Sequence, residues 1–279
     1  MLSLFQSLEA EGLNDTEKPM FDVLKASLSY PTTDHELANR LADDIVYFCR
    51  SAIGDDVYGG ILTNAWVLIF DMICCIPSDH AWQDCWVNAI KELKGRETLP
   101  ARNSDSYDLQ WEDLPCFFIE LDTHMNRVYE KDIEYQNLNS FVARLYATDV
   151  LRDDKFPFAA IRDALERAGG ESQDPLLWVA SEWLIRCAYH IYESMKFPTP
   201  EKRGWWSLGK AFADKDGVAP FSVERWNLWK ERISEEREKL LSSKSETAPA
   251  LAKRLEEALQ KMREAEQPSD QKTDVSVDK

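Results

Sequence analysis

The chain has 279 residues, of which 44% are hydrophobic, and it carries a formal net charge of −17 with a pI near 4.7. Nucleic acids and anionic membrane surfaces attract basic proteins, so this acidic balance argues against both as partners. Ten Trp, nine Tyr and twelve Phe supply enough large apolar side chains to fill a sizeable core.

Apolar residues recur at helical spacing along most of the chain, and no convincing strand alternation is present. We therefore predict an all-α fold of about ten helices, packed as one multi-helix bundle or an irregular helical stack. The first helices are expected over 2–13 and 17–30. The predicted inner face of the second consists of Met20, Val23, Leu24, Ser27 and Leu28. Thr33 and Glu36 have the spacing of a capping box that begins a third helix.

The most apolar run extends from Ile61 to Ile76 and is interrupted only by Thr63, Asn64 and Asp71. A membrane span needs about 20 apolar residues, and this run is shorter and contains an acid. It has apolar side chains on every face, which predicts a core helix surrounded by other helices. Pro77 should end this helix, and Ser78-Asp79 should begin the next, whose Trp82 and Trp86 can pack back onto the first.

Further helices are predicted over 111–130, 137–150, 157–168 and 174–195, after a polar loop at 95–108. In the first of these, Pro115 is expected in the first turn, and the buried side should comprise Phe118, Leu121, Met125 and Val128.

A long loop covers 197–220, and Ser222 should cap the helix that follows. We assign residues 1–240 to a single helical domain and 241–266 to a peripheral charged helix with Leu251, Leu255, Leu259 and Met262 as its apolar stripe. The polar segment 267–279 is predicted to be a disordered tail.

Five of the six cysteines fall inside apolar helical stretches, which is typical of buried thiols in a reducing compartment. The N-terminal residues lack the basic start and the long apolar segment of a secretory signal. We expect a soluble cytoplasmic protein, with the nucleus as the alternative compartment.

Four motifs occur in order along the chain. They are Ile76-Pro77-x-x-His80-x-Trp82-Gln83-Asp84, Trp111-x-Asp113-Leu114-Pro115, Asn137-Leu138-Asn139-x-Phe141-x-Ala143-Arg144-Leu145 and Phe221-Ser222-x-x-Arg225-Trp226-x-x-Trp229-Lys230-x-Arg232. Together, over about residues 60–235, they resemble a fungal family of uncharacterised proteins, catalogued as a domain of unknown function. The resemblance implies a fungal intracellular helical protein and brings no activity, cofactor or catalytic residue with it.

His80 and Asp84 are the only catalytic candidates that we single out. They lie four residues apart on one helical face, as a general base and its orienting carboxylate would. The alternative is a helix N-terminus at which both side chains are solvated or bind nearby backbone groups. No nucleophile stands at a telling spacing, so we favour the alternative and lean against an enzyme.

No metal and no cofactor is predicted. Cys74, Cys75, His80 and Cys85 could be combined as zinc ligands, but adjacent cysteines on a helix point about 100° apart. Asp43-Asp44 resembles the start of the acidic magnesium motif of terpene synthases, but Tyr47 replaces the acid at the fifth position.

Two sets of residues are candidates for binding. Asn139 and Arg144 are polar residues in an otherwise apolar helix, and they could join helices by hydrogen bonds or line a pocket with Trp111 and Tyr146. In the loop 197–220, the candidates are Lys202, Arg203, Trp205 and Trp206. Their two indole rings could pin the loop to the core, or the basic-aromatic set could contact a protein or an anionic ligand.

The sequence does not specify a function. The first hypothesis is a non-catalytic scaffold that binds another protein. The alternative is an enzyme or a binder of a small apolar ligand, with an aromatic-lined pocket between helices, accessory to fungal metabolism. A cavity converging on His80, Asp84, Asn139 or Arg144 would favour the alternative, and a filled core with an exposed aromatic patch would favour the scaffold.

Overall fold

The computed structural model describes residues 4–15, 17–52, 60–98, 108, 110–167, 174–197, 204, 206–213, 215 and 217–267. These residues form eleven α-helices, one short 3-10 helix and no strand, so the all-α prediction is confirmed. None of the described helices combines the length and apolarity needed to cross a membrane.

The chain divides into two compact units, residues 1–145 and 146–279. The assignment of 1–240 to one domain stays a prediction, and the predicted disordered tail lies, from residue 268 onward, outside the described residues.

The first unit contains six whole helices and all but the last two residues of a seventh, and its core is built by helix pairs. In chain order they are α1 (Gln6–Glu11), α2 (Glu17–Ser29), α3 (Asp34–Ala52), α4 (Ile61–Cys74), α5 (Trp82–Lys94), α6 (Phe117–Val128) and α7 (Asp132–Ala147). The 3-10 turn Trp111–Asp113 lies between α5 and α6 and packs against α5. Helix α3 packs on α5 and α2, and α4 packs on α6.

Helix α4 is the dry centre of this unit, as predicted. Trp66, Phe70 and Ile73 are all 0% exposed. Both aromatic rings meet Phe117 edge to face, with centroids 5.0 and 5.3 Å away. The indole Nε1 of Trp66 donates to the carbonyl of Pro115 at 2.8 Å, so the ring that fills the core also finds a polar partner.

The capping box before α3 is confirmed. The Glu36 amide donates to Thr33 Oγ1 at 3.3 Å, and the Thr33 amide donates to Glu36 Oε2 at 3.2 Å. Helix α5, in contrast, begins at Trp82 and not at Ser78, because the intervening residues form turns. The Trp82 amide donates to His80 Nδ1 at 3.1 Å across these turns.

The helix predicted from residue 111 is wrong at its start. Leu114 (φ 45°) and Cys116 (φ 64°) adopt left-handed backbone conformations, so α6 begins only at Phe117 and Pro115 precedes it. The break also changes which ring faces inward: Phe117 is 1% exposed, whereas Phe118 is 39% exposed.

Two smaller differences concern α2 and α7. In α2 the predicted inward residue Val23 is 38% exposed, and Phe21 is fully buried in its place. Helix α7 starts at Asp132, five residues before the predicted start at Asn137.

The second unit contains α8 (Lys155–Leu165), α9 (Asp174–Met195), α10 (Val223–Ser242) and α11 (Ala248–Ala265). The bounds of α9 match the prediction, and Ser222 Oγ caps α10 by accepting from the Arg225 amide at 3.1 Å. Helix α11 packs against α9 and α10, and its predicted apolar stripe is buried.

Replacing Phe70 by alanine should lower the free energy of unfolding by about 3–5 kcal/mol, because the buried ring leaves a cavity in contact with Trp66 and Phe117. The matched variant Phe118→Ala, on the exposed side of α6, should cost less than about 1 kcal/mol. Urea denaturation followed by circular dichroism measures both. Equal losses would contradict the burial assigned to α4.

Candidate functional site

Side chains from α5 and α7 satisfy the carbonyls at the corner between α4 and α5. The last turn of any helix leaves its carbonyls without backbone donors. Asn137 Nδ2 donates to the carbonyl of Cys74 at 2.8 Å, and Gln83 Nε2 donates to that of Ile76 at 2.8 Å. Both amide side chains are buried, so they replace the water that would otherwise solvate these groups.

Arg144 completes this corner from α7. Its NH2 group donates to the carbonyl of Ser78 at 2.8 Å, and its Nε donates to Asp84 Oδ1 at 2.8 Å. A third contact joins its NH1 group to Ser140 Oγ. Arg144 is 7% exposed, whereas the Asp84 side chain is 67% exposed. The guanidinium therefore links two helices and a turn.

The other predicted site residues of the first unit are placed separately. His80 binds the Trp82 amide and meets the Trp82 ring edge to face at 4.7 Å, while Asp84 pairs with Arg144. Asn139 is fully buried, and its Nδ2 donates to the Tyr135 carbonyl at 2.9 Å. Trp111 is 1% exposed, and its Nε1 has no hydrogen-bond partner within the described structure.

A buried histidine that the sequence analysis did not single out lies between α4 and α6. His124 is 2% exposed, and its Nε2 lies 3.4 Å from Asp71 Oδ1 and 3.6 Å from Cys74 Sγ. Burial, with Arg127 and Lys131 adding to it, lowers the pKa of His124 to about 3. Burial, with Asp71 adding to it, raises the pKa of the Cys74 thiol well above its usual value. A buried thiol whose pKa is raised stays protonated, which makes Cys74 a poor nucleophile.

Within the part of the chain that the structure describes, the cysteines are not grouped as metal ligands. None of the six forms a disulfide, and burial raises the pKa of Cys49 to about 12 and that of Cys85 to about 11. Among the residues that the structure describes, no group of three or more His, Cys, Asp or Glu side chains is placed to hold a metal ion. The zinc ligands considered from the sequence, Cys74, Cys75, His80 and Cys85, therefore form no such group.

The second unit is organised around a buried ion pair. Arg225 Nε donates to Glu166 Oε1 at 2.7 Å, and both side chains are 0% exposed. Trp229 Nε1 donates to the same carboxylate oxygen at 2.7 Å. Burial lowers the pKa of Arg225, while the Glu166 carboxylate acts in the opposite direction. These donors surround the carboxylate and take the place of its hydration.

The same pair fixes the described part of the loop predicted over 197–220. Arg225 NH1 donates to the carbonyl of Trp206 at 2.8 Å, and the Gly209 amide donates to Glu166 Oε2 at 2.5 Å. A Cβ atom at Gly209 would lie 2.5 Å from Glu166 Cβ, so only glycine permits this approach. The remaining loop candidates lie outside the described residues, and their contact role stays a prediction: Lys202, Arg203 and Trp205.

A cleft of about 450 Å³ opens at the end of α9, and we call it the α9 cleft. It lies within the second unit and is formed by Tyr146 in the last turn of α7, the connection to α8 and the last two turns of α9. Its lining residues are Tyr146, Arg152, Asp154, Tyr189, His190, Glu193, Ser194 and Phe197.

A carboxylate held by two hydroxyl groups lines this cleft. Tyr146 Oη donates to Asp154 Oδ1, and Ser194 Oγ donates to Asp154 Oδ2 at 3.1 Å. Burial and Asp154 raise the pKa of Tyr146, which keeps its phenol protonated. The side chains of Tyr189 and Phe197 are 43% and 76% exposed, so the cleft presents aromatic surface to solvent.

Of the residues that line the α9 cleft, the sequence analysis named only Tyr146, and it expected that residue to share a pocket with Trp111, Asn139 and Arg144. The sequence did contain an indication that Tyr189 is exposed, since this aromatic residue lies outside the stripe of apolar residues on the buried face of α9. Asp154 and Ser194 carry no comparable signal, because they are forty residues apart and meet only after α8 folds back on α9.

A second cleft, of about 340 Å³, lies between α10 and the loop residues Ala211, Phe212 and Lys215. Two of its charged groups pair with each other, since Arg232 contacts Glu235 at 2.9 Å. Lys215 lies 5.3 Å from the centre of the Phe212 ring. These contacts leave the second cleft with mixed charge, and we do not assign it a ligand.

Comparison with known proteins gives one match. The family described as "Protein of unknown function (DUF3632)" matches residues 66–233, from the first turns of α4 to the middle of α10. No curated protein and no solved structure matches the chain.

The buried pair gives the first prediction from these contacts. Arg225→Met should cost about 3–5 kcal/mol of unfolding free energy, because it leaves the Glu166 carboxylate buried without its ionic partner. Adding Glu166→Gln should reduce the loss, so that the double variant is more stable than the sum of the single variants implies. Arg232→Met, which breaks a surface pair, should cost less than about 1 kcal/mol. Additive losses in the urea titrations would refute the coupling.

His124 gives a pH-dependent prediction. Its pKa falls from 6.5 to about 3 on folding, so between these values the unfolded chain binds a proton that the folded chain excludes. Stability should therefore decrease as the pH falls through this window, by up to about 1.4 kcal/mol per pH unit from this residue.

The variant His124→Gln should flatten the dependence of the urea midpoint on pH between about pH 7 and pH 5. His35→Gln is the matched control, since the His35 side chain is 78% exposed, and it should leave the dependence unchanged. The assignment fails if His124→Gln retains the slope of the parent chain.

Proposed function

We propose that this chain, which belongs to the DUF3632 family of proteins of unknown function, is a non-catalytic helical scaffold that binds another protein. The α9 cleft is the observation that supports this best. Aromatic side chains dominate the binding energy of many protein interfaces. Phe197 and Tyr189 expose such surface beside a concave site, and Phe197 is 76% exposed.

The absence of catalysis is supported by what the polar side chains already bind. Arg144 is engaged by Asp84 and by the Ser78 carbonyl, and Arg225 is engaged by Glu166. These groups stabilise turns and helix contacts, which leaves them unsuited to act on a substrate. In the α9 cleft, the raised pKa of Tyr146 argues against a phenolate base.

The proposed setting is the cytoplasm of a fungal cell, with the nucleus as the alternative. Six cysteines without a disulfide, several with raised thiol pKa values, suit a reducing compartment. The fungal origin rests on the resemblance carried by the four sequence motifs.

A second candidate function is the binding of a small ligand in the same cleft, accessory to fungal metabolism. Its volume of about 450 Å³ lies within the usual range of ligand pockets, roughly 300–1,000 Å³. Three aromatic side chains line it, as a small apolar ligand requires: Tyr146, Tyr189 and Phe197.

The two functions differ in what the protein retains from its native host. Affinity purification of the full chain, with mass spectrometry of proteins and of metabolites, should recover a protein partner in stoichiometric amount. The double variant Tyr189→Ala, Phe197→Ala should lose that partner, because it removes the exposed aromatic surface.

Leu241→Ala is the control, because Leu241 is also exposed (56%) but lies on α10 outside the cleft, and this variant should retain the partner. Recovery of bound metabolites without any stable protein partner would favour the second function and reject the scaffold. Retention of the partner by the double variant would reject the α9 cleft as the contact site.

A further inference from the structure

We infer that the α9 cleft receives a positively charged side chain, lysine or arginine, from the partner protein. The inference rests on the proposed function and adds the chemistry of recognition. Its basis is the charge, the aromatic surface and the fixed carboxylate that meet in this cleft.

The cleft lies where two helices end. Helix α7 ends at Ala147 and α9 ends at Met195, and the lining residues Tyr146 and Ser194 each directly precede those ends. The C-terminus of a helix carries a partial negative charge that favours cations. The last turn of α9 contains no basic residue to neutralise it, whereas that of α7 contains Arg144, which pairs with Asp84.

The ionised lining groups are mainly acidic. Asp154 and Glu193 contribute two carboxylates, and Arg152 contributes the one guanidinium. That guanidinium pairs with Asp149 at 2.7 Å, and Lys196, which follows α9, pairs with Glu193 at 2.5 Å. These two pairs are each neutral, so the Asp154 carboxylate leaves this group of five charges with a net charge of −1, while the whole chain carries −17.

The Asp154 carboxylate is prepared to accept a further donor. Tyr146 and Ser194 each donate to a different oxygen of Asp154 and fix its orientation. A carboxylate oxygen can accept more than one hydrogen bond, so each retains capacity for the N–H group of a ligand. A charge-assisted hydrogen bond to an ammonium or guanidinium group is the strongest contact available to it.

The aromatic rings supply the second element of cation recognition. A cation near the face of an aromatic ring gains about 0.5–1 kcal/mol at an exposed site. This segment already contains one such contact, because Lys196 Nζ lies 5.0 Å from the centre of the Tyr192 ring. Tyr189 and Phe197 offer further rings, and both are partly open to solvent.

Isothermal titration calorimetry of the full chain with a short peptide of alternating Lys and Ala tests the inference. The control peptide has every lysine acetylated, which removes the charge and preserves most of the shape. We expect the charged peptide to bind at least about tenfold more tightly than the acetylated one. Glu193→Gln and Phe197→Ala should each weaken its binding by about fivefold.

Matched variants separate the cleft from the general acidity of the protein. Glu238 is 69% exposed on α10, so Glu238→Gln removes the same charge outside the cleft, and Leu241→Ala removes exposed apolar surface. Both should keep the affinity within about twofold of the parent chain. An equal loss in Glu193→Gln and Glu238→Gln would show non-specific attraction and overturn the inference, as would equal binding of the two peptides.

The remaining outcomes distinguish this inference from the proposed function. One outcome is that the charged peptide does not bind while the double variant Tyr189→Ala, Phe197→Ala still loses the captured partner. In that case the inference is wrong and the scaffold stands. If lysine amide alone binds as tightly as the peptide, the cleft is specific for a small organic cation and the inference is also wrong. Binding of the charged peptide without any captured partner would support cation recognition and reject the scaffold.

Discussion

Backbone carbonyls at chain reversals determine where this protein places its buried polar side chains. A carbonyl removed from water needs a donor, and a guanidinium can supply several at once. Arg144 serves the Ser78 carbonyl after α4, and Arg225 serves the carbonyls of Trp206 and Pro220 before α10. Within each unit, the packing of neighbouring helices depends on a turn that one arginine holds in place.

This use of polar groups gives several motif residues a structural role. The motif residues that invite a catalytic interpretation, such as His80 and Asp84, contribute to a corner and its supporting guanidinium. Surface that could contact a partner is found instead at the end of α9, among residues outside the four motifs. The candidate catalytic residues and the candidate contact surface therefore lie in different parts of the chain.

The capping signals at Thr33 and Ser222 were reliable because their physical effect is local, whereas the start signal at Ser78-Asp79 led into turns. Thr33 and Ser222 cap helices by binding backbone amides three residues away. Apolar periodicity failed at α6, since it carries no information about the left-handed conformations of Leu114 and Cys116 that move Phe118 outward. The α9 cleft was missed for a different reason: its groups meet only through tertiary folding, which no spacing along the chain encodes.

The segment that matches the DUF3632 family ends inside α10, whereas the apolar core of the second unit continues into α11. Helix α11 covers α9 and α10, and Glu266, just past its end, accepts from Trp226 Nε1 at 2.8 Å and also pairs with Lys230. A relative that shares only the matched segment must shield the same face of α9 with another segment or a second subunit.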